Sequence, residues 1–434
     1  MTQPMSAARR GVWGWCMFDF ANSAYVTVII TFVFATYFTQ GVAPTPEQGT
    51  AWWGTAQGLS ALLIALLSPV VGTIADYAGR RKVWVFWCSM LTVGTTALLW
   101  FAEPHSAHVV LILVAVVIAN IGFEVGQVFY NALLPSVATP EKLGRISGWA
   151  WGCGYGGGLL CLVLCLVVFI QADPAPFGLD KDNSEHVRAT VLVVAVWFGV
   201  FSLPFFLWVK DDSAHTQPMG QAVKNGLMQI RDTLKKANEY PNIVRFLIAR
   251  MLYNDGVNTI FAFGGIFAAG TFGMTVAEVI QLGIALNVTA GIGAAVFGWI
   301  DDKFGSKRTI SLSVLAVIVF GSLTLSAPDK TWFWIWALTV STFFGPVQAA
   351  SRTMMARLAP PEIRTEMFGL FALTGKAIAF GGPVAVGWAT AATGSQRWGL
   401  ATVMLFLIAG WWVLRGVQEH PQISDGSGAS PSAP

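Results

Sequence analysis

What this 434-residue sequence has least of is charge. Asp, Glu, Lys and Arg together make up 11% of it, under half the roughly 25% of an ordinary soluble domain. A chain so poor in charge cannot cover a water-facing shell of the size its length demands. Its solvent is therefore lipid. Histidine is almost missing from the apolar segments: His105, His186, His215 and His420 fall between or beyond them, and His108 stands at the very start of the fourth. There is no G-x-x-x-x-G-K-[ST] loop, so nothing points to ATP as the energy source. No Lys/Arg-rich run is present either, and a formal charge of +3 gives no reason to expect nucleic acid. The five cysteines, Cys16, Cys88, Cys153, Cys161 and Cys165, lie inside apolar segments. Cys161 and Cys165 share a helix face, but no His or carboxylate joins them, so packing is the expected role rather than metal or disulfide. No cofactor, metal or enzymatic activity is expected. The opening MTQPMSAARRGVWGW shows no small-residue cleavage site and reads as a cytoplasmic tail running into the first span.

What is there is apolar and aromatic: 55% hydrophobic residues, 19 Trp and 30 Phe, with a mean hydropathy of +0.61. A bilayer core takes about 20 such residues per helix. Twelve segments qualify, near 11–39, 51–75, 83–102, 107–131, 146–170, 189–209, 243–270, 276–300, 309–327, 331–355, 366–391 and 396–415. The expected fold class is an all-α polytopic membrane protein. With the amino terminus inside, 19 of the 26 basic residues fall in cytoplasmic loops or tails, which predicts both termini in the cytoplasm. An N-terminal six-helix bundle is expected over 1–210, a linker over 211–242, a second bundle over 243–415 and a disordered cytoplasmic tail over 416–434. The linker reads equally as a helix on the cytoplasmic membrane surface and as a solvated connection.

The two halves repeat each other. Gly72-Thr73-Ile74-Ala75-Asp76-Tyr77-Ala78-Gly79-Arg80-Arg81-Lys82 follows span two, and Gly298 to Arg308 follows span eight at an offset of 226 residues. Gln127, Asn131, Pro140, Glu141 and Gly148 match Gln348, Arg352, Pro361, Glu362 and Gly369 at an offset of 221. Asp19, Asn22, Ser23 and Tyr25 match Asp255, Asn258, Thr259 and Phe261 at 236. Three matches in chain order argue for a duplicated six-helix unit, an organisation frequent in secondary transporters with the site between the halves.

The G-x-x-x-D-x-x-G-R-R-K loop and its echo resemble the loop motif of the major facilitator superfamily. That resemblance implies twelve helices in two pseudo-symmetric bundles. It also implies a cytoplasmic gate that includes Gly72, Asp76, Gly79, Arg80 and Arg81, with Asp302, Gly305 and Lys307 in the weaker copy, where Ser306 stands in place of Arg80. Within the superfamily, "FDFANSAY", "RISGWAWGCGYGGG" and "RMLYNDGVNT" resemble the vacuole-effluxer-like group, whose prokaryotic members were long called the unknown major facilitator family. Its eukaryotic relatives release amino acids from the vacuole, so the resemblance implies amino-acid transport. The glycines of span five are read as close helix packing; the antiporter pattern of drug exporters, which they partly match, asks for a proline they lack.

Family geometry puts spans one, four, seven and ten around a central cavity, and the buried polar residues sit on those spans. Span four places Asn120, Glu124, Gln127 and Asn131 within about 60° of arc at 100° per residue, flanked by Phe123 and Tyr130. Polar glue between helices is the alternative. Span seven carries Arg250, Tyr253, Asn254, Asp255 and Asn258. Arg250 and Asn254 share a face, but Asp255 lies about 140° from Arg250, so each needs a partner elsewhere. For Asp255, a structural pairing with Lys376 or with span one is also open. Lys376, about 15 Å from the cytoplasmic end of span eleven, is a further buried cation, whereas Arg352 reads as a snorkelling side chain. Asp19 and Glu124 lie at similar depths of about 10–12 Å, close to the level of Arg250. With Asn22, Tyr25, Tyr130 and Tyr253 they complete the candidate substrate-binding and coupling set. With no histidine available, a proton carrier has to be a carboxylate, Glu124 before Asp19.

The expected function is a secondary active transporter, acting by alternating access in the bacterial inner membrane as a monomer among lipids. It would move a small polar or zwitterionic solute, most plausibly amino acids in an efflux direction, with a proton gradient as one candidate drive. A drug or metabolite exporter is the first rival, and a non-transporting receptor on the same fold is the second.

Overall fold

The computed structural model describes residues 5–211, 217–235, 240–379 and 381–419, and every regular element among them is helical. Ten helices are long and apolar enough to cross a membrane: Ala8–Val42, Pro46–Ala78, Arg81–Phe101, Val109–Ala132, Pro140–Ile170, Glu185–Trp208, Glu278–Phe304, Ser306–Leu325, Pro361–Thr393 and Gln396–Arg415. Span seven, Pro241–Phe272, and span ten, Lys330–Ser341 with Phe344–Leu358, complete the twelve. Their composition explains why they stand apart. Span seven carries Arg250, Asp255 and three asparagines, and span ten is interrupted by a turn at 342–343. Large apolar side chains such as Leu66, Trp87, Leu111, Val196, Trp388 and Leu405 face outward, as an element surrounded by lipid requires.

Helix starts follow elementary capping. The Thr45 side chain accepts from the Gln48 amide ahead of span two, with proline in the first turn. Thr275 and Glu278 form a reciprocal capping box at span eight, and Asp329 accepts from the Trp332 amide at span ten. Each satisfies amide donors that a helix cannot pair internally. Span one departs from α geometry beyond Ala24, where wider turns run over Tyr25–Phe32 and Phe38–Val42. There the Thr31 hydroxyl donates to the carbonyl of Val26, five residues back.

Spans one to six form one bundle and spans seven to twelve the other. The bundles meet chiefly along two pairs, span two against span eleven and span five against span eight. Four glycines from the repeated motifs make these contacts. A methyl group on Gly72 would come within 2.6 Å of the Thr365 carbonyl, and on Gly369 within 2.5 Å of the Ser68 carbonyl. On Gly298 it would meet the Arg145 Cα at 2.9 Å, and on Gly148 the Gly298 Cα at 3.1 Å. Gly72 and Gly298 are equivalent in the duplication, as are Gly148 and Gly369, so one small-residue contact has been made twice. In span five, Gly157 lies against the backbone of Phe20 and Gly154 against the Ser23 hydroxyl, consistent with packing as the role of that glycine run.

The connection between the bundles contains a helix, Met219–Lys235. It packs along span two through Gly226 against Ile74 and a hydrogen bond from the Gln217 amide to the Tyr77 carbonyl. Of the chain end expected to be disordered, residues 416–419 are instead held. Glu419 accepts from the amides of Ser306 and Lys307 at the start of span nine and pairs with Arg357. Residues 420–434 lie outside the described residues.

Gly148 and Gly156 provide a contrast, since nothing lies within 4 Å of a methyl placed on Gly156. Gly148→Leu is expected to lower thermal stability in detergent by an overpacking cost of about 1–3 kcal/mol, whereas Gly156→Leu should leave it unchanged.

Candidate functional site

Between the bundles lies a cavity of about 450 Å³. Span one lines it from Asp19 through Asn22 and Ser23 to Thr31 and Phe32, span four through Phe123, Glu124, Gln127 and Asn131. Span seven contributes Arg250, Asn254, Asn258 and Phe261, span ten Gln348 and Arg352, and span eleven Gly375 and Lys376. Exposure rises along span one from buried Asp19 and Asn22 to exposed Thr31 and Phe32. The cavity therefore opens away from the end that carries both termini and closes at the level of Asp19.

Its floor is an ion pair across the two bundles. Arg352 donates from Nη1 to Asp19 Oδ2 at 3.0 Å and reaches Asn131 Oδ1 at 3.4 Å. Nε donates to Ser147 Oγ at 2.9 Å and Nη2 to the Ser147 carbonyl at 2.8 Å. The guanidinium carbon lies 4.6 Å from the Trp15 ring centroid, and Trp15 stacks on Tyr130 at 4.5 Å. Arg352 is 3% exposed, so it does not snorkel. A short side chain path to water is missing, and Asp19, Ser147 and Trp15 of the opposite bundle supply the partners instead. Sequence reasoning left Ser147 and Trp15 unnoticed, because a lone serine and a tryptophan carry no pattern.

A second ion pair spans the cavity wall. Lys376 donates to Glu124 Oε1 at 2.6 Å. This corrects the pairing of Lys376 with Asp255. Arg250 stands differently. Its Nη1 donates to the Phe371 carbonyl at 2.7 Å and the guanidinium lies over the Phe371 ring, 3.4 Å from the centroid. It has no carboxylate partner among the described residues, and its buried Nε has no acceptor. The cavity thus holds three cations, Arg250, Arg352 and Lys376, against two carboxylates, Asp19 and Glu124. Arg250 carries the unmatched charge. Asn254 is oriented by Gln348, whose Nε2 donates to it at 2.8 Å; Gln348 belonged to the repeat but not to the expected site.

Several expected site residues lie off the cavity. Tyr25, Tyr130 and Tyr253 are fully buried in packing: Tyr130 donates to the Trp15 carbonyl, and Tyr253 shares a hydrogen bond with Ser351. Asn120 donates to Gln57 one turn beyond the lining stripe. Asp255 is buried behind span seven, where it accepts from the Gly382 amide. Each sits on a cavity helix but faces a neighbouring helix of its own bundle, a distinction that helical arc alone does not make.

The end carrying the termini is latched twice. Asp76 accepts from the amides of Thr365 at 3.1 Å and Glu366 at 2.8 Å, the first turn of span eleven. Arg81 bridges back, bonding Asp76 Oδ1 at 2.9 Å and Thr365 Oγ1 at 2.7 Å. In the second copy Asp302 Oδ1 accepts from the amides of Gly144 at 2.8 Å and Arg145 at 3.2 Å, the first turn of span five. In each, a carboxylate of one bundle caps a helix amino terminus of the other, where its charge is favoured. Gly79 and Gly305 take positive φ, 65° and 88°, and Arg80 follows at 57°, so the loop turns sharply enough to start the next span. Lys307 does not join its latch; its Nζ donates to the Arg415 carbonyl within its own bundle.

This arrangement is that of a major facilitator transporter. The proton:xylose symporter XylE is similar with a TM-score of 0.72 at 12% identity, covering 95% of this chain and 96% of that one. FucP in the outward conformation gives 0.70 at 15% identity, covering 95% and 98%. The model of the Vacuole effluxer Atg22 like family matches residues 47–425, and the chain belongs to that family. An uncharacterized MFS-type transporter of Bacillus subtilis, YxiO, is 27% identical over 94% of each chain. Autophagy-related protein 22 of Kluyveromyces lactis is 23% identical, covering 84% of this chain and 79% of its own.

Two predictions follow from the buried charges. Arg352→Met strands Asp19 and should cost about 3–5 kcal/mol of stability. Adding Asp19→Asn should recover part of it, a non-additivity read by a double-mutant cycle of unfolding in detergent. Asp76→Asn weakens charge-assisted bonds worth about 1.5–3 kcal/mol. It is expected to shift the population toward separation at the latched end, measured as a longer spin-label distance between the inner ends of spans two and eleven.

Proposed function

We propose that this chain is a secondary active transporter of small solutes that bear a carboxylate, amino acids foremost, working by alternating access. One observation carries the substrate class: Arg250 presents a guanidinium to the cavity with no carboxylate partner among the described residues. An unmatched cation at such a depth costs about 2.5–3.5 kcal/mol on insertion scales, which a bound carboxylate offsets. Asn254 and Gln348 beside it supply neutral donors and acceptors for the rest of the solute. The family resemblance to vacuolar amino-acid release points the same way.

In this reading residues 1–210 and 243–415 move as two bodies, joined by the 211–242 connection. The termini lie in the cytoplasm of a bacterium with the chain in its inner membrane, as the distribution of basic residues favours. The observed form is then outward-facing, with Asp76 and Asp302 closing the cytoplasmic side. Inward opening breaks the Arg352–Asp19 and Lys376–Glu124 pairs, and a solute bridging Arg250 to the opposite wall lowers that cost. One chain contains the whole cavity, so a monomer suffices.

The test is uptake into proteoliposomes of a panel of neutral amino acids, their decarboxylated amines and a lipophilic cation. Amino acids should enter and the amines should not. Arg250→Gln should reduce amino-acid uptake by about 10- to 100-fold, the loss of one charge-assisted contact, and Arg250→Lys by less. Entry of the lipophilic cation alone would instead favour the exporter reading.

A further inference from the structure

We propose that Asp255 is the proton carrier, coupling a proton gradient to transport through a break in span eleven; this rests on the transport reading above. Asp255 is 3% exposed. Its Oδ2 accepts from the Gly382 amide at 2.7 Å, and its Oδ1 has no partner among the described residues. Among the described residues no cation reaches it. On span seven Arg250 is turned to Phe371, and Tyr253 to Ser351. Of the helices packed against span seven, span eight offers Glu278, held by Lys330, and Asp301, Asp302 and Lys303 at the latched end. Span ten offers Arg352 and Arg357, committed to Asp19 and Asp301. Span eleven offers Lys376, committed to Glu124, with Arg364 and Glu366 at the latch, and span twelve offers Arg397 and Arg415, which meet carbonyls of Leu325 and Ala327 and the Trp411 ring. No ion pair among the described residues therefore opposes a change in the charge of this group.

The duplication shows why this buried acid lacks the cation that Asp19 has. Asp255 is the repeat of Asp19, and Arg352, the partner of Asp19, is the repeat of Asn131. At the position equivalent to Arg352 the other half carries a neutral amide, so the duplication supplies no second cation. Losing the charge of Asp19 would strand the buried Arg352, and losing that of Glu124 would leave the half-buried Lys376 without its partner; a proton on Asp255 breaks no ion pair. An acceptor for the acid proton stands ready, since Thr259 lies one helical turn on, on the same face, and its buried hydroxyl is likewise unpartnered among the described residues.

The link to the cavity is span eleven. Its inner segment, Arg364–Ala377, carries Lys376 against Glu124 and Gly375 against Arg250, and its outer segment restarts at Gly381. The restart packs closely on span seven: a methyl on Gly381 would come 3.2 Å from Asp255 Oδ2, and one on Gly382 would run into the Thr259 hydroxyl. The carboxyl group therefore grips the outer segment just beyond the residues that hold the cavity wall. The bond to an ionised acceptor is stronger than to a neutral one, so gaining a proton loosens the grip on Gly382 and losing it tightens that grip. Asn254 and Asn258, beside Asp255 in sequence, line the cavity, so the acid lies close behind a wall that water reaches. The step is one proton taken up from the open side and one released to the other, with no other bond made or broken.

The experiment uses the full chain, with leucine as the probe, and compares wild type with Asp255→Asn. Exchange of labelled leucine at equal pH, accumulation driven by a pH gradient, and the infrared band of a protonated carboxyl group without solute are read separately. Asp255→Asn should keep exchange but lose accumulation and the band, Asp255→Glu should restore accumulation, and Thr259→Val should shift the band. Accumulation by Asp255→Asn equal to wild type overturns the proposal. So does a band lost in Glu124→Gln but kept in Asp255→Asn, or drive by sodium at uniform pH. Absence of leucine exchange in wild type counts against the substrate reading alone, and the infrared comparison still decides the role of Asp255.

Discussion

The insertion of Arg352 into the opposite bundle is the constraint around which the rest is arranged. A guanidinium at that depth is tolerable only with a carboxylate, several acceptors and aromatic faces around it. Asp19, Ser147 and Trp15 provide these from spans one and five. The same contacts seal the cavity floor, so closing the site and satisfying the charge are one event. Glycines along the two bundle-to-bundle helix pairs allow the approach that brings Arg352 within reach, and the Asp76 and Asp302 caps hold it there.

Two kinds of feature emerge when the halves are compared. The latch carboxylates and interface glycines obey the duplication, residue against residue. Four of the five cavity charges do not: the repeat of Glu124 is Gly345, of Lys376 is Tyr155, of Arg250 is Gly14 and of Arg352 is Asn131. Symmetric positions build a frame that closes the same way on both sides of the axis. Asymmetric ones give the cavity its excess positive charge and leave Asp255 without a cation.

That division also explains what was legible in the sequence. Repeated motifs announce themselves, so the twelve spans and the duplicated unit could be read from hydropathy and spacing, and the latch aspartates from the family resemblance those motifs carry. Family geometry named the cavity helices, and Asp19, Asn22, Glu124, Gln127, Arg250, Asn254 and Asn258 on them do line it, but helical arc did not separate them from the residues that face a neighbouring helix. Partner choice was not readable. Lys376 finds Glu124 and Arg352 finds Asp19 across a boundary between bundles, at sequence separations of 252 and 333 residues, where no local periodicity operates. The three tyrosines misled for a related reason: a hydroxyl on a cavity helix looks the same in sequence whether it faces the cavity or the helix behind.

The connecting helix Met219–Lys235 has a mechanical consequence. It is packed onto span two, in one bundle, yet is joined through only five residues, 236–240, to span seven in the other. Fully extended, such a stretch reaches about 20 Å. The helix is thus bound to one bundle and tied to the other by a short stretch of chain, which caps the separation of its own end from the start of span seven.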